Sequence, residues 1–291
     1  MNYSVLKGTG VALVTPFDRN LNIDFEALAR VLDHIISGGA DFIVVLGTTG
    51  ETALLTHKEK LQIIEFVKQK TKGEIPLVLG YGGISTAHMI EEFSEFDFDG
   101  ITALLTVTPY YVKPSQQGLY QHYKAIADVA PLPIILYNVP GRTGINMEQD
   151  TTLALSGHPN IIGIKEASGK LFQIEDILNR KDPEFLLFSG EDALTFHFMN
   201  AGAEGVISVM GNAFPSEIKT IVNSPNNLEA AKTLHLRLKL LTKMVFADGN
   251  PCGIKYVLSR RGLCKNILRL PLVPVSESTA EAIDKELIGL I

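Results

Sequence analysis

Cysteine is scarce in this sequence, positive charge is in the minority, and no long apolar run interrupts it. Each shortage excludes something. The two cysteines, Cys252 and Cys264, lie near the C-terminus without CxxC spacing. That leaves no disulfide framework and no cysteine-based zinc site, and it suits a reducing compartment. A formal net charge of -6 provides no basic stripe to neutralise phosphates, so nucleic acid is not an expected partner. No apolar run is long enough to span a bilayer, and no membrane partner is expected. The opening residues, Met1-Asn-Tyr-Ser-Val-Leu-Lys-Gly8, carry no apolar signal core. The expected location is therefore cytoplasmic. Histidines and carboxylates do not cluster at metal-ligand spacing, so no metal site is expected.

What is present is a strict alternation of short apolar runs and amphipathic stretches. Of 291 residues, 46% are hydrophobic and 20% charged, enough for a sizeable core. The strand candidates are Gly10–Val14, Phe42–Leu46, Pro76–Leu79, Gly100–Leu105, Pro133–Tyr137, Ile161–Lys165, Phe185–Phe188 and Gly205–Ser208. Helical patterns follow each of them. Asp24 is placed to cap the first helix, Thr56-His-Lys-Glu59 reads as a capping box, and Ser85 opens a third helix. Asn146-Met-Glu-Gln149 is another capping-box candidate, and Asp192 is a further cap. Strict alternation implies parallel strands with crossover helices.

Eight such units fit a (β/α)8 TIM barrel, an α/β fold, better than an open doubly wound sheet. The GxGxxG that a Rossmann reading requires is missing from Lys7-Gly-Thr-Gly-Val11. Beyond about residue 223 the pattern changes. Leu228–Phe246 reads as one long helix, followed by segments broken at Gly249-Asn-Pro251 and Pro271-Leu-Val-Pro274. The expected organisation is a catalytic barrel over residues 1–224 and a small helical C-terminal extension over 225–291.

Active sites of this fold lie at the C-terminal ends of the strands. There the sequence places Gly47-Thr48-Thr49-Gly50-Glu51, Tyr110-Tyr111, Tyr137, Arg142, Lys165, Gly190 and Ile207-Ser208. Each has a plain reading when taken alone. Lys165 would lean into water, Tyr137 would be a core aromatic, and Gly-Thr-Thr-Gly would be a turn or a generic anion nest. Tyr110-Tyr111 would be packing or interface, Arg142 a solvated loop residue, and Ser189-Gly-Glu-Asp192 a helix cap. Their shared address is what argues for chemistry.

A lysine that ends an apolar strand among phenols suggests Schiff-base formation. Burial disfavours the ammonium, and the neutral amine is the nucleophile. Successive strand side chains face opposite ways, so a Lys165 pointing into the barrel sends Glu166 outwards. Tyr137 ends a strand and reaches the same space, where tyrosines can shuttle protons and Thr48 can bridge two of them.

Several blocks of the sequence, at matching spacing over nearly its whole length, are shared with a known family. They are Gly47-Thr-Thr-Gly-Glu51, Thr108-Pro-Tyr-Tyr111 with Pro114-Ser-Gln116, Tyr137-Asn-Val-Pro-Gly-Arg-Thr-Gly144, Gly163-Ile-Lys-Glu-Ala167, Ser189-Gly-Glu-Asp192, Gly205-Val-Ile-Ser208 and Leu268-Arg-Leu-Pro271. The chain resembles the dihydrodipicolinate synthase family of pyruvate-dependent class I aldolases, which includes N-acetylneuraminate lyase.

The resemblance implies that Lys165 forms an imine with pyruvate, that Tyr137 is the proton donor and acceptor, and that Thr48 and Tyr111 complete a proton relay. It implies that Thr48 and Thr49 hold the pyruvate carboxylate, and that Gly190 and the Ile207 carbonyl line the pocket. Tyr111 would enter the site of a neighbouring subunit, which makes the protein a homo-oligomer, by family habit a dimer of dimers. Arg142 would grip the carboxylate of L-aspartate 4-semialdehyde in paired hydrogen bonds. The implied product is 4-hydroxy-tetrahydrodipicolinate, in lysine and diaminopimelate biosynthesis, and no cofactor is required, because the protonated imine takes the electrons.

The alternatives are a lyase for N-acetylneuraminate or 2-keto-3-deoxy sugar acids, a hydroxyproline-pathway dehydratase, and a non-catalytic metabolite-binding barrel. One region departs from the pattern of lysine-inhibited members. Ile84 and His88 stand where those carry asparagine and glutamate, although His57 and Tyr110 match. Weak or absent lysine inhibition is the expectation.

Overall fold

The computed structural model describes residues 3–290. Its centre is a closed barrel of eight parallel strands: β1 (Gly8–Ala12), β2 (Phe42–Val45), β3 (Leu77–Gly80), β4 (Ala103–Val107), β5 (Ile134–Asn138), β6 (Ile161–Glu166), β7 (Leu186–Ser189) and β8 (Gly205–Ser208). Each strand pairs with the next in sequence, and β8 closes on β1 with Gly10 opposite Ile207. The expected (β/α)8 architecture is what forms.

Parity along the strands divides the core into two layers. Inside the barrel lie Ala12, Phe42, Val44, Val78, Leu105, Ile135, Tyr137, Phe188 and Ile207. Between strands and helices lie Val11, Ile43, Val45, Leu79, Leu104, Leu136, Ile164 and Leu187. Strands buried on both faces are apolar throughout, which is why their sequences show no alternation. The interior is close-packed. Phe42 meets Phe188 edge-on at 5.6 Å between ring centroids, and a Cβ on Gly10 would fall 2.2 Å from the Phe42 ring.

The helices are α1 (Phe25–Ser37), α2 (His57–Thr71), α3 (Thr86–Glu91), α4 (Gln116–Val129), α5 (Pro140–Thr143), α6 (Gln149–Ser156), α7 (Leu171–Arg180), α8 (Thr195–Asn200) and α9 (Pro215–Val222). Three expected caps are in place. Asp24 accepts from the Ala27 N–H, Ser85 from His88, and Thr56 with Glu59 closes both halves of a capping box. Beyond the barrel, α10 (Leu228–Val245), α11 (Cys252–Arg260) and α12 (Glu277–Leu287) form the helical C-terminal end. Among the described residues no helix is long and apolar enough to cross a membrane.

Four local expectations are corrected. β1 begins and ends two residues earlier than the apolar run suggested, because the Val14 N–H leaves the ladder for Asn212 Oδ1 at 3.1 Å. β4 begins later, because Gly100 has φ +74 and Ile101 closes a turn on Phe98. Asn146 caps nothing; its amide bridges Asn138 and Gln173 at 2.9 Å each, and Glu148 stands at the start of α6 without a side-chain bond. Asp192 does not cap the helix that follows it. It accepts from the Ser208 hydroxyl and from the N–H groups of Val209 and Met210, at 2.9 and 3.1 Å, and so caps the turn after β8.

Candidate active site

The site is assembled where β2, β5, β6 and β7 end. Lys165 pairs in register with Tyr137 on one side and with Phe188 on the other. A bulge in β6 contributes to that alignment: Ile134 faces Ile161 but Ile135 faces Gly163, so Ile162 is the additional residue. From there Gly163 and Lys165 run beside Ile135 and Tyr137, all directed to the barrel interior. Glu166 turns the other way, as parity requires. It is fully buried among Asn138 Nδ2 at 2.9 Å, Gln173 Nε2 at 3.0 Å and the Ser168 N–H at 2.6 Å.

Lys165 is 5% exposed, and its Nζ lies 4.5 Å from the centre of the Tyr137 ring. Gly190, at the end of β7, makes room for it. A Cβ there would approach Lys165 Cε to 3.1 Å and Ala167 Cβ to 2.6 Å. A larger residue at that position would clash first with Ala167 and would crowd the lysine.

Burial brings the Lys165 amine down to about 8, against the pull of Asp192 and Glu191 and with a smaller push from Arg142. Near neutrality a useful fraction is therefore the free amine, the form that attacks a carbonyl. The same burial holds the Tyr137 phenol up, to about 12, opposed by Arg142 and by a hydrogen bond with Thr48 and assisted by Glu191. Tyr137 thus keeps its proton and is available as a donor.

The sequence shows Ser189-Gly-Glu-Asp192 as a cap and a shared block, but not the bearing of Asp192 and Glu191 on the lysine. Parity correctly removes Glu166 from the lysine, yet two other carboxylates bear on it. Asp192 is 7% exposed, and burial raises its carboxyl despite three hydrogen-bond donors. Desolvation and the neighbouring Asp192 also raise Glu191.

Thr48 and Thr49 occupy a single 3-10 turn, Thr48–Gly50, directly after β2. Thr15 Oγ1 donates to the Gly50 carbonyl at 2.7 Å, which fixes the turn against the segment after β1. Thr49 is buried, and its Oγ1 accepts from Asn250 Nδ2 at 3.0 Å. Arg142 projects from the one-turn α5 and donates from Nη2 to the Asn250 carbonyl at 3.1 Å. Ile207 is 1% exposed and lies in the same interior cluster as Tyr137.

The structure thus brings Lys165, Tyr137, Thr48, Thr49, Arg142, Gly190 and Ile207 to one end of the barrel. Tyr111 stands apart. It is 87% exposed, with φ +70, on the loop after β4.

Asn250 was also missed, because Gly249-Asn-Pro251 reads only as a chain break. The buried pair beneath the threonine turn was missed too. Lys255 of α11 reaches Glu51 at 2.5 Å, with both side chains fully buried. Among the described residues no group of three metal-ligating side chains occurs.

A sequence profile of the Dihydrodipicolinate synthetase family matches residues 5–288. The 4-hydroxy-tetrahydrodipicolinate synthase of Parabacteroides distasonis is 49% identical over 281 residues, covering 96% of this chain and 95% of that one. The enzyme of the same name from Phocaeicola vulgatus is 47% identical over 279 residues, covering 95% and 94%. Among solved structures, the dihydrodipicolinate synthase of Thermotoga maritima superimposes with a TM-score of 0.95 at 36% identity, covering 99% of this chain and all of that one. The Acinetobacter baumannii enzyme complexed with pyruvate gives 0.94 at 37% identity, covering 98% and 100%.

Proposed function

The chain belongs to the dihydrodipicolinate synthetase family, and from that premise we propose how its own residues carry out the reaction. The activity is that of 4-hydroxy-tetrahydrodipicolinate synthase, a class I Schiff-base lyase that condenses pyruvate with L-aspartate 4-semialdehyde in lysine and diaminopimelate biosynthesis.

The neutral Lys165 amine adds to the pyruvate carbonyl carbon, and loss of water leaves the protonated imine. A methyl proton departs, the electron pair moves into the imine, and the resulting enamine carbon attacks the aldehyde. The new alkoxide takes up a proton. The amine of the semialdehyde portion then attacks the imine carbon, closes the ring and releases Lys165. Tyr137 donates and accepts protons at these steps, linked to Thr48. Thr48 and Thr49 hold the pyruvate carboxylate, Arg142 holds that of the semialdehyde, and Gly190 and the Ile207 carbonyl border the pocket. The observation that carries this reading is a lysine buried inside the barrel, lowered to about 8 and lying 4.5 Å from a phenol ring.

Tyr111 completes the relay from an adjacent subunit. Its exposure and its strained backbone support this, since a left-handed conformation is costly for a bulky side chain and needs a use. The protein is then a homo-oligomer, a dimer of dimers by the habit of the family, located in the cytoplasm. Residues 1–224 form the catalytic barrel and 225–291 its helical extension.

A coupled assay tests the substrate assignment. Turnover with aspartate semialdehyde and none with N-acetylneuraminate or 2-keto-3-deoxygluconate is expected. Arg142→Ala should raise KM for the semialdehyde while pyruvate still forms its adduct. Preference for a sugar acid would overturn the assignment.

A further inference from the structure

Asn250, contributed by the C-terminal extension, has no role in the reaction as described, yet it touches both carboxylate grips. Its carbonyl accepts from Arg142 at 3.1 Å, and its side-chain amide donates to Thr49 Oγ1 at 3.0 Å. The residue is 7% exposed, and its Oδ1 is buried without a partner.

A hydroxyl has one proton to give. Because Thr49 Oγ1 accepts from the amide, its own O–H remains free to point elsewhere. A buried amide oxygen left without a donor carries a desolvation cost. Turning the amide over would place that oxygen on the Thr49 hydroxyl and consume its proton. With Nδ2 on Thr49 the proton stays available, and Oδ1 is the end of the amide that has no protein donor.

We propose that Asn250 is a positioning residue for pyruvate: its amide N–H holds the Thr49 hydroxyl as a hydrogen-bond donor to the pyruvate carboxylate, while its main chain separately locates Arg142 for the aldehyde. This rests on the reading of Thr49 as part of the pyruvate site. The two functions are carried by different atoms of one residue. A side-chain substitution therefore affects the pyruvate side and leaves the Arg142 anchor in place.

The test is steady-state kinetics on the full chain with both substrates varied, for Asn250→Asp, Asn250→Ser, Thr49→Val and the double variant Thr49→Val/Asn250→Asp. In Asn250→Asp the new carboxylate accepts the Thr49 proton. KM for pyruvate should rise about tenfold or more, the scale of a hydrogen bond to a charged group, and KM for aspartate semialdehyde by less than about threefold. Asn250→Ser, uncharged, should show the same direction with a smaller rise. Against the Thr49→Val background, Asn250→Asp should add little.

An unchanged pyruvate KM in Asn250→Asp and Asn250→Ser, with Thr49→Val impaired, would overturn the role of Asn250 and leave Thr49 in the site. A full additional loss in the double variant would trace the effect to charge alone, and equal rises in both KM values would mark a merely structural residue; either overturns the proposal. An unimpaired Thr49→Val would overturn the reading of Thr49, and this inference with it.

Discussion

Glu51 and Lys255 meet at 2.5 Å with neither side chain exposed, one at the end of the Gly47–Glu51 turn and the other in the C-terminal helix α11. Glu51 also adopts φ 55, a left-handed conformation that closes the threonine turn. The Lys255 ammonium lies 4.2 Å from the centre of the Phe17 ring, and the Arg269 guanidinium 4.4 Å from the same ring. Arg269 further pairs with Glu59, the capping-box residue of α2, at 2.5 Å. The C-terminal helical end is therefore bonded beneath the threonine turn by charge as well as by apolar packing.

Removing one member of this pair strands the other. Lys255→Met should cost about 3–5 kcal/mol, because an uncompensated carboxylate stays in the interior. Glu51→Gln/Lys255→Met should recover much of that loss. Urea unfolding midpoints for the two variants check it, and a single variant as stable as the parent would contradict it.

The Lys165 amine titrates near 8, and only its neutral form attacks pyruvate. The single-turnover rate of adduct formation should rise with pH through about 8 and level off above it. Stopped-flow or quenched borohydride trapping between pH 6 and 9.5 measures this. A profile flat across that interval would show that the amine is not the titrating group.

The same lysine weakens the fold. Its ordinary value of 10.5 falls to about 8 on folding, so below 8 both states are protonated and the native state bears the full penalty. That penalty is relieved as pH rises from 8 towards 10.5, where the unfolded chain binds more protons. Lys165→Met should therefore be more stable than the parent at neutral pH, by up to about 3 kcal/mol at 1.36 kcal/mol per unit. The gap should narrow above pH 8. Denaturation curves of both proteins at pH 7 and pH 9.5 test the sign.

Feedback control should be weak. Ile84 is 40% exposed and offers no hydrogen bond, and His88 faces Glu92 at 3.4 Å. Neither residue supplies the amide or carboxylate that the family resemblance implies at a lysine-binding cleft. Half-inhibition by L-lysine should need more than about millimolar concentration, only a few kcal/mol of binding. Half-inhibition below about millimolar would contradict this.

The barrel was legible because eight apolar runs alternate with helical patterns, and crossover geometry leaves few other arrangements. Parity alone sent Glu166 away from Lys165. What stayed hidden depends on partners distant in sequence. Asp192 was read as capping its own helix, because local spacing cannot reveal that Ser208, Val209 and Met210 supply its donors. Asn250 and Lys255 reach Thr49 and Glu51 across 201 and 204 residues. The bulge at Ile162 has no sequence mark, since a run of isoleucines looks the same with or without an additional residue. Strand ends shifted by two residues where a side chain, Asn212, took over a backbone bond.

Borohydride trapping with pyruvate, followed by mapping of the modified peptide, tests the central claim most directly. Our account predicts one reduced pyruvate adduct, on Lys165, absent from Lys165→Ala. No adduct at all would favour a non-catalytic, metabolite-binding barrel, and an adduct that persists in Lys165→Ala would place the Schiff base on another lysine.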